Sequence, residues 1–267
     1  APYLTTFAPF FGQGHFRKNK PMTIIALYNM KGGVGKTAGC VNLAYLAAEE
    51  GKKVLVWDLD PQGSATYYFQ QNPKLKGGIK KMLQGELELA ENIHETGWTG
   101  LDLIPADFSN RHLDVILDEL KQSKRKFKAL LNQIEGLYDY LFIDCPPGIG
   151  PLSEAIFAAS DHVVLPTIPT TLSLRTYEMV KEFFEKNDLD ASRIRCYFSM
   201  VDIRKTLHNE TLATYYRNKQ FLKNYIPYLS TIEKMGTRLA PVAEFAPSSY
   251  AAQCFRDVWK ELKKSIS

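Results

Sequence analysis

The stretch Asn29-Met-Lys-Gly-Gly-Val-Gly-Lys-Thr-Ala-Gly-Cys40 constrains this chain more than any other, because it joins two different hydrophobic patterns. Before it, Met22-Thr-Ile-Ile-Ala-Leu-Tyr28 is a short apolar run rich in β-branched residues, which predicts a buried strand. After it, apolar side chains from Cys40 to Glu50 recur at helical spacing and stop at Gly51, a common helix terminator. Strand, glycine loop and helix in that order is the setting of a phosphate-binding loop. Gly32, Gly33 and Gly35 let the backbone turn its N–H groups toward an anion, and the helix N-terminus adds the positive end of its dipole. Residues Gly32, Gly33, Val34, Gly35, Lys36, Thr37 and Ala38 are therefore the candidate nucleotide cradle. Within it, Lys36 would reach the β- and γ-phosphates of ATP, and the Thr37 hydroxyl would hold Mg2+. The ordinary pattern G-x-x-x-x-G-K-[ST] is broken at its first glycine, and a second lysine, Lys31, precedes the glycines instead.

From Ile24 onward strand and helix patterns alternate, which predicts an α/β fold: a doubly wound, mainly parallel sheet flanked by helices. Further strands are expected at 53–58, 101–105, 138–144, 162–166 and 193–200. Helices are expected at 79–84, as a pair between 109 and 135, and at 151–160, 171–187, 206–221 and 248–265. With no internal repeat and no low-complexity linker, residues 22–267 are expected to form a single P-loop ATPase domain. Residues 1–21 are expected to be an N-terminal arm or leader, with Phe7, Phe10 and Phe11 packed on the domain, and no helix-turn-helix module is expected ahead of the loop. Cysteines 40, 145, 196 and 254 form no C-x-x-C pair, and the histidines are scattered. This spacing argues against a zinc site, an iron–sulfur cluster or a disulfide framework and favours a reducing cytoplasm. No apolar run approaches the roughly 20 residues of a membrane span.

Ligands of parallel sheets gather at the carboxyl ends of strands, so acidic residues there are candidates. Asp144 ends one apolar strand in Ile143-Asp-Cys-Pro-Pro-Gly-Ile-Gly150 and can hold Mg2+ through water. Gly148 lets the main chain approach the γ-phosphate closely. In Trp57-Asp-Leu-Asp-Pro-Gln62, Asp58 and Asp60 alternate along extended chain and face different ways, so only one can point at an attacking water.

The loop with its two lysines resembles the deviant Walker A sequence K-G-G-x-x-K-[ST] of the ParA/MinD ATPases. That resemblance implies that Lys31 reaches across a homodimer interface to phosphates bound by the partner, making it a sensor of ATP. Residues 58–66 are similar to the family motif D-x-D-P-Q-x-x-x-T, which implies that Asp60 orients the hydrolytic water while Asp58 supports Mg2+ from behind. Lys31, Lys36 and Asp60 are then the expected catalytic set, and Thr37, Asp58 and Asp144 the expected metal set. The similarity runs over residues 22–266, through Met200-Val-Asp-Ile-Arg204 and the run from Ile226 to Leu262. It implies that the backbone near Pro227 and Tyr228 closes over adenine, and it is strongest to small ParA-type partition ATPases without a helix-turn-helix.

Charge adds a partner. From Arg193 to Lys264 there are 13 Lys and Arg against 6 Asp and Glu, although the whole chain carries only +4. Arg204, Lys205, Arg217, Lys219, Arg238, Lys260 and Lys263 are expected to form a surface for DNA phosphates. Doubling such a surface by dimerisation on ATP switches weak, salt-sensitive, non-specific DNA binding on and off. The expected protein is thus a dimerising, nucleoid-associated ATPase that positions plasmid, chromosome or protein cargo and is triggered by a partner such as a ParB-like adaptor. The rival is a MinD-like membrane switch. Its mark would be a C-terminal amphipathic helix, and Phe255, Val258, Trp259, Leu262 and Ile266 do lie near one helical face. Packing of that stripe on the core is the simpler expectation, so a membrane partner is not expected.

Overall fold

A computed structural model describes residues 21–266. The expected arm, with Phe7, Phe10 and Phe11, lies outside the described residues except for Pro21. Strands β1 (Thr23–Leu27), β2 (Val54–Asp58), β3 (His94–Glu95), β4 (Leu101–Ile104), β5 (Tyr140–Asp144), β6 (His162–Thr167) and β7 (Ile194–Phe198) form one sheet. Their order is β3-β4-β2-β5-β1-β6-β7, and every neighbouring pair is parallel except β3 with β4. The central strands are near-continuous apolar runs because helices cover both faces of the sheet. Connections leave β1 toward one edge and β5 toward the other, so the carboxyl ends of β1, β2 and β5 border a crevice.

The helices are α1 (Lys36–Glu49), α2 (Ser64–Tyr68), α3 (Gly78–Gln84), α4 (Leu113–Glu119), α5 (Ser123–Asn132), α6 (Pro151–Ala159), α7 (Thr171–Lys186), α8 (Thr206–Tyr215), α9 (Ser230–Glu233), α10 (Met235–Arg238), α11 (Val242–Phe245) and α12 (Tyr250–Ser265). One core layer joins α1 and α12 to the sheet through Val41, Leu43, Phe255, Val258, Trp259 and Leu262. The opposite layer holds Trp57 stacked on Phe127 at 5.5 Å between ring centroids, with Tyr28, Phe157 and Phe184 further along. The apolar stripe of α12 is therefore buried in the core, as the simpler expectation had it, with only Ile266 partly exposed.

Close packing fixes α1. A Cβ added at Gly39 would collide with the Tyr197 hydroxyl of β7, so the helix approaches the sheet nearer than any side chain permits. Asn42 ties the same helix to α11, donating to the Ala38 carbonyl and accepting from the Val242 N–H, each at 2.7 Å.

Several boundaries differ from expectation. Helix α1 begins at Lys36 rather than Cys40, since the Gly39 N–H already donates to the Gly35 carbonyl. The helix expected over 206–221 stops at Tyr215 because the chain turns to run beside β7: Leu222 N–H donates to the Cys196 carbonyl at 2.7 Å, and Cys196 N–H donates to the Gln220 carbonyl. Bridges of Cys196 with Phe221 and Val201 with Pro227 cover that outer edge. Strand β3, absent from the sequence reading, is a two-residue antiparallel cap on the other edge.

Candidate functional site

The glycine loop leaves β1 and enters α1 at the crevice. Gly33 and Gly35 have φ of 73° and 90°, a left-handed region open mainly to glycine, and Gly35 is the residue from which α1 starts. The loop is pinned from three sides. Asn29 Nδ2 donates to the Pro166 carbonyl of β6 at 2.8 Å while its Oδ1 accepts from the Lys31 N–H at 3.0 Å. Ser199, just past β7, donates its hydroxyl to the Val34 carbonyl at 2.8 Å. Gly148 N–H donates to the Met30 carbonyl at 3.2 Å, and the Tyr28 hydroxyl donates to the Gly148 carbonyl at 2.8 Å. The segment after β5 is thus mechanically joined to the start of the glycine loop. Sequence reasoning missed Asn29 and Ser199, since a polar residue near a loop has no pattern that reveals a buried hydrogen bond.

The two lysines occupy different surroundings. Lys36 is buried, and its Nζ donates to the Lys31 carbonyl at 3.0 Å. Burial pushes its pKa down, while Asp144 and, more weakly, Asp60 act to restore it. Lys31 is half-buried just before the glycines, and its ammonium has no ion pair or hydrogen bond among the described residues.

The carboxylates also divide. Asp144 is fully buried, and neither of its oxygens has a hydrogen-bond partner among the described residues. Burial, then the neighbouring Asp58, push its pKa well up; Thr37 lies close enough to lower it again, yet short of hydrogen-bonding geometry. An orphaned carboxylate beside a threonine hydroxyl and a buried lysine fits a hydrated Mg2+ shared with phosphates, because that ion keeps several waters and needs few protein oxygens. Asp58 differs: Oδ2 accepts from the Thr66 N–H and the Thr66 hydroxyl, both at 2.8 Å, and Oδ1 accepts from the Asp60 N–H at 3.2 Å. The Thr66 hydroxyl accepts in turn from the Ala106 N–H at 2.8 Å. The Asp58 carboxylate therefore holds the loop after β2 in shape, leaving Asp60 partly exposed in the cleft with Oδ1 accepting from the Gln62 N–H at 2.9 Å.

Of the expected site residues, Gly32, Gly33, Gly35, Lys36, Thr37, Ala38 and Asp60 line one cleft of about 1650 Å³, together with Pro146 and Pro147, whereas Lys31, Asp58, Asp144 and Gly148 are not among its walls. Its far wall brings in residues the sequence did not suggest: Asn110, Arg111 and Asp114. The Asn110 amide is 3% exposed with neither of its polar atoms partnered among the described residues, and Arg111 stacks over Phe108 at 4.0 Å. Asp114 accepts from the Leu152 N–H at 2.9 Å and lies so near Gly150 that a Cβ there would meet its carboxylate at 2.7 Å. A second hollow of about 480 Å³ adjoins the glycine loop and is walled mainly by apolar groups, with Pro227 and Tyr228 in its lining beside Tyr197, Ile226, Leu229 and Phe255.

A family model described as an AAA domain matches residues 22–191. The sporulation initiation inhibitor protein Soj of Bacillus subtilis is 30% identical, over 90% of this chain and 97% of Soj. The chain belongs to the ParA/MinD family of P-loop ATPases. Solved structures agree on the fold of this ParA/MinD-family chain. A plasmid partition protein of Borrelia burgdorferi bound to AMPPNP superposes with a TM-score of 0.81 at 21% identity, over 91% of this chain and 99% of that one. Cobyrinic acid a,c-diamide synthase of Mycobacterium smegmatis, with an ATP analogue and magnesium, gives 0.76 at 24% identity, over 91% and 94%.

The basic residues expected on one DNA surface are dispersed over the ParA/MinD-family fold. Arg204 and Lys205 are exposed beyond the carboxyl end of β7, although Arg204 pairs with Asp202 at 2.9 Å. Arg217 and Lys219 lie in the segment that returns alongside β7, and Arg238 is exposed on α10. Lys260 and Lys263 are near the end of α12, which Arg195 fastens to the opposite end of the sheet by donating to the Ser265 carbonyl. The Lys263 ammonium donates to both oxygens of Glu50, the residue that follows α1, at 2.5 and 2.6 Å, and sits over the Trp259 ring. No helix of the described residues is long and apolar enough to cross a membrane.

Proposed function

We propose that the chain is an ATP- and Mg2+-dependent ATPase that dimerises on ATP, binds DNA without sequence preference, and positions plasmid, chromosome or protein cargo until a partner triggers hydrolysis. The observation that carries this reading is the contrast between the lysines: the Lys36 ammonium is folded into its own loop, whereas the half-buried Lys31 ammonium has no partner among the described residues. A cation without a partner of its own is available to phosphates bound by a second subunit.

Residue roles follow from position. The N–H groups of residues 32–38 and the Lys36 ammonium bind the phosphates, with the α1 dipole behind them. Thr37 and Asp144 would hold Mg2+, whose part is to neutralise charge between the β- and γ-phosphates. Asp58 supports this arrangement through the loop it holds, and Asp60 orients water for in-line attack. Gly148 senses the γ-phosphate side of the cleft by its backbone, and the segment at Pro227 and Tyr228 receives the base. Because phosphoryl transfer depends on positioning and charge, turnover stays slow until a dimer and a trigger protein complete the site. Packing of the apolar face of α12 against α1 and the sheet favours this reading over the MinD-like membrane one.

The test is fluorescence anisotropy of a random-sequence DNA duplex with Asp60→Ala protein, with ATP, ADP or no nucleotide, over a salt series. Binding with ATP alone that weakens steeply with salt is expected. Dimers that form on ATP yet bind no DNA would redirect the reading to protein cargo.

A further inference from the structure

The apolar hollow and the phosphate cleft are contiguous, and Gly35, Ala38, Met200, Ile232 and Glu233 line both. A nucleotide with its base in the hollow and its phosphates on the glycine loop must place its sugar at this junction. Glu233 is the one charged side chain among the residues common to the two. It ends α9, and its Oε1 accepts a hydrogen bond from the Tyr228 hydroxyl at 2.6 Å, with Tyr228 itself part of the hollow's wall.

From this juxtaposition we infer that Glu233 is the ribose-recognition residue, accepting a hydrogen bond from a sugar hydroxyl while Tyr228 holds its carboxylate in place. The inference rests on the nucleotide reading above and adds a specificity to it. An ionised carboxylate offers about four acceptor sites and no donor, so one bond from Tyr228 leaves room for vicinal hydroxyls. Acidic side chains serve nucleotide ribose in the same way at other parallel-sheet crevices. The remaining walls of the junction are glycine, alanine and apolar side chains, which pack against a sugar but do not distinguish ribose from deoxyribose.

The experiment is calorimetric titration of the full chain with ADP, 2′-deoxyADP and 3′-deoxyADP, so that neither hydrolysis nor ATP-driven dimerisation enters. The unmodified protein is expected to bind at least one deoxy analogue about tenfold more weakly than ADP, the scale of a hydrogen bond to a charged group. Glu233→Ala should bind ADP as weakly as that analogue, with the analogue itself unaffected, so the ratio falls to about one; Glu233→Gln, which keeps an acceptor oxygen and the side chain's shape, should fall between. A purely structural role would weaken all three ligands together and leave the ratio intact, which would overturn the inference. Equal affinity of the unmodified protein for ADP and both analogues would overturn it as well, with the nucleotide reading untouched. Absence of any ADP binding would overturn the nucleotide reading and this inference with it.

Discussion

Asp58 and Asp144 face each other in register on neighbouring strands, yet only Asp58 has its charge answered by protein donors. Burial nevertheless raises the Asp58 pKa from 3.8 to about 6, against the hydrogen bonds from Thr66. Between those values the folded chain keeps a proton that the unfolded chain has released, so stability falls as pH rises from 3.8 to about 6 and stays reduced above it. Asp144 shifts in the same direction and adds to the slope. Asp58→Asn is expected to flatten the dependence in that window, measured by urea denaturation at stepped pH; an unaltered slope would mean Asp58 is ionised throughout. Lys31 makes a different prediction. Its replacement by Ala should leave ADP affinity within about threefold, because the ammonium has no partner among the described residues, while abolishing ATP-dependent dimers in light scattering. Dimers that persist would remove the cross-subunit role.

At the level of elements, the seam between α1 and β7 is governed by what Gly39 lacks. Gly39→Ala is expected to lower stability by about 1–3 kcal/mol, the cost of overpacking, because Tyr197 is held in the core and its hydroxyl cannot retreat. In a Tyr197→Phe background the nearest atom to the new Cβ is a ring carbon at 3.4 Å, so most of that loss should be recovered in thermal unfolding. A loss of the same size in both backgrounds would relocate the strain. Six of the strands were legible in sequence because each is a stretch of four to six residues dominated by apolar side chains. Strand β3 was not, since His94 and Glu95 are two polar residues whose pairing depends on β4. Helix α2 escaped for the same reason, five residues being too few to display a helical period. The glycine loop and the strand-terminal carboxylates were readable because their chemistry is local in the chain. The Asn110 wall of the cleft and the Tyr228–Glu233 pair were not, because long folded connections bring them to the site.

Over the whole molecule, a count of basic residues could not tell which end of the sheet each would reach. Lys205, exposed near the carboxyl edge, and Lys263, paired with Glu50 near the opposite end, are the useful contrast. In the ATP-bound Asp60→Ala background, Lys205→Ala is expected to reduce the slope of log affinity for DNA against log salt by about 1, and Lys263→Ala to leave it unchanged. Equal effects would place both ends of the fold against the duplex. The sheet margins bear on the same task. On one side stands a two-residue strand; on the other, the segment from Gln220 to Pro227 already occupies the outer hydrogen-bonding groups of β7. Copies brought side by side would meet, among the described residues, only a two-residue strand at one margin and an occupied edge at the other, which disfavours extension of the sheet from copy to copy.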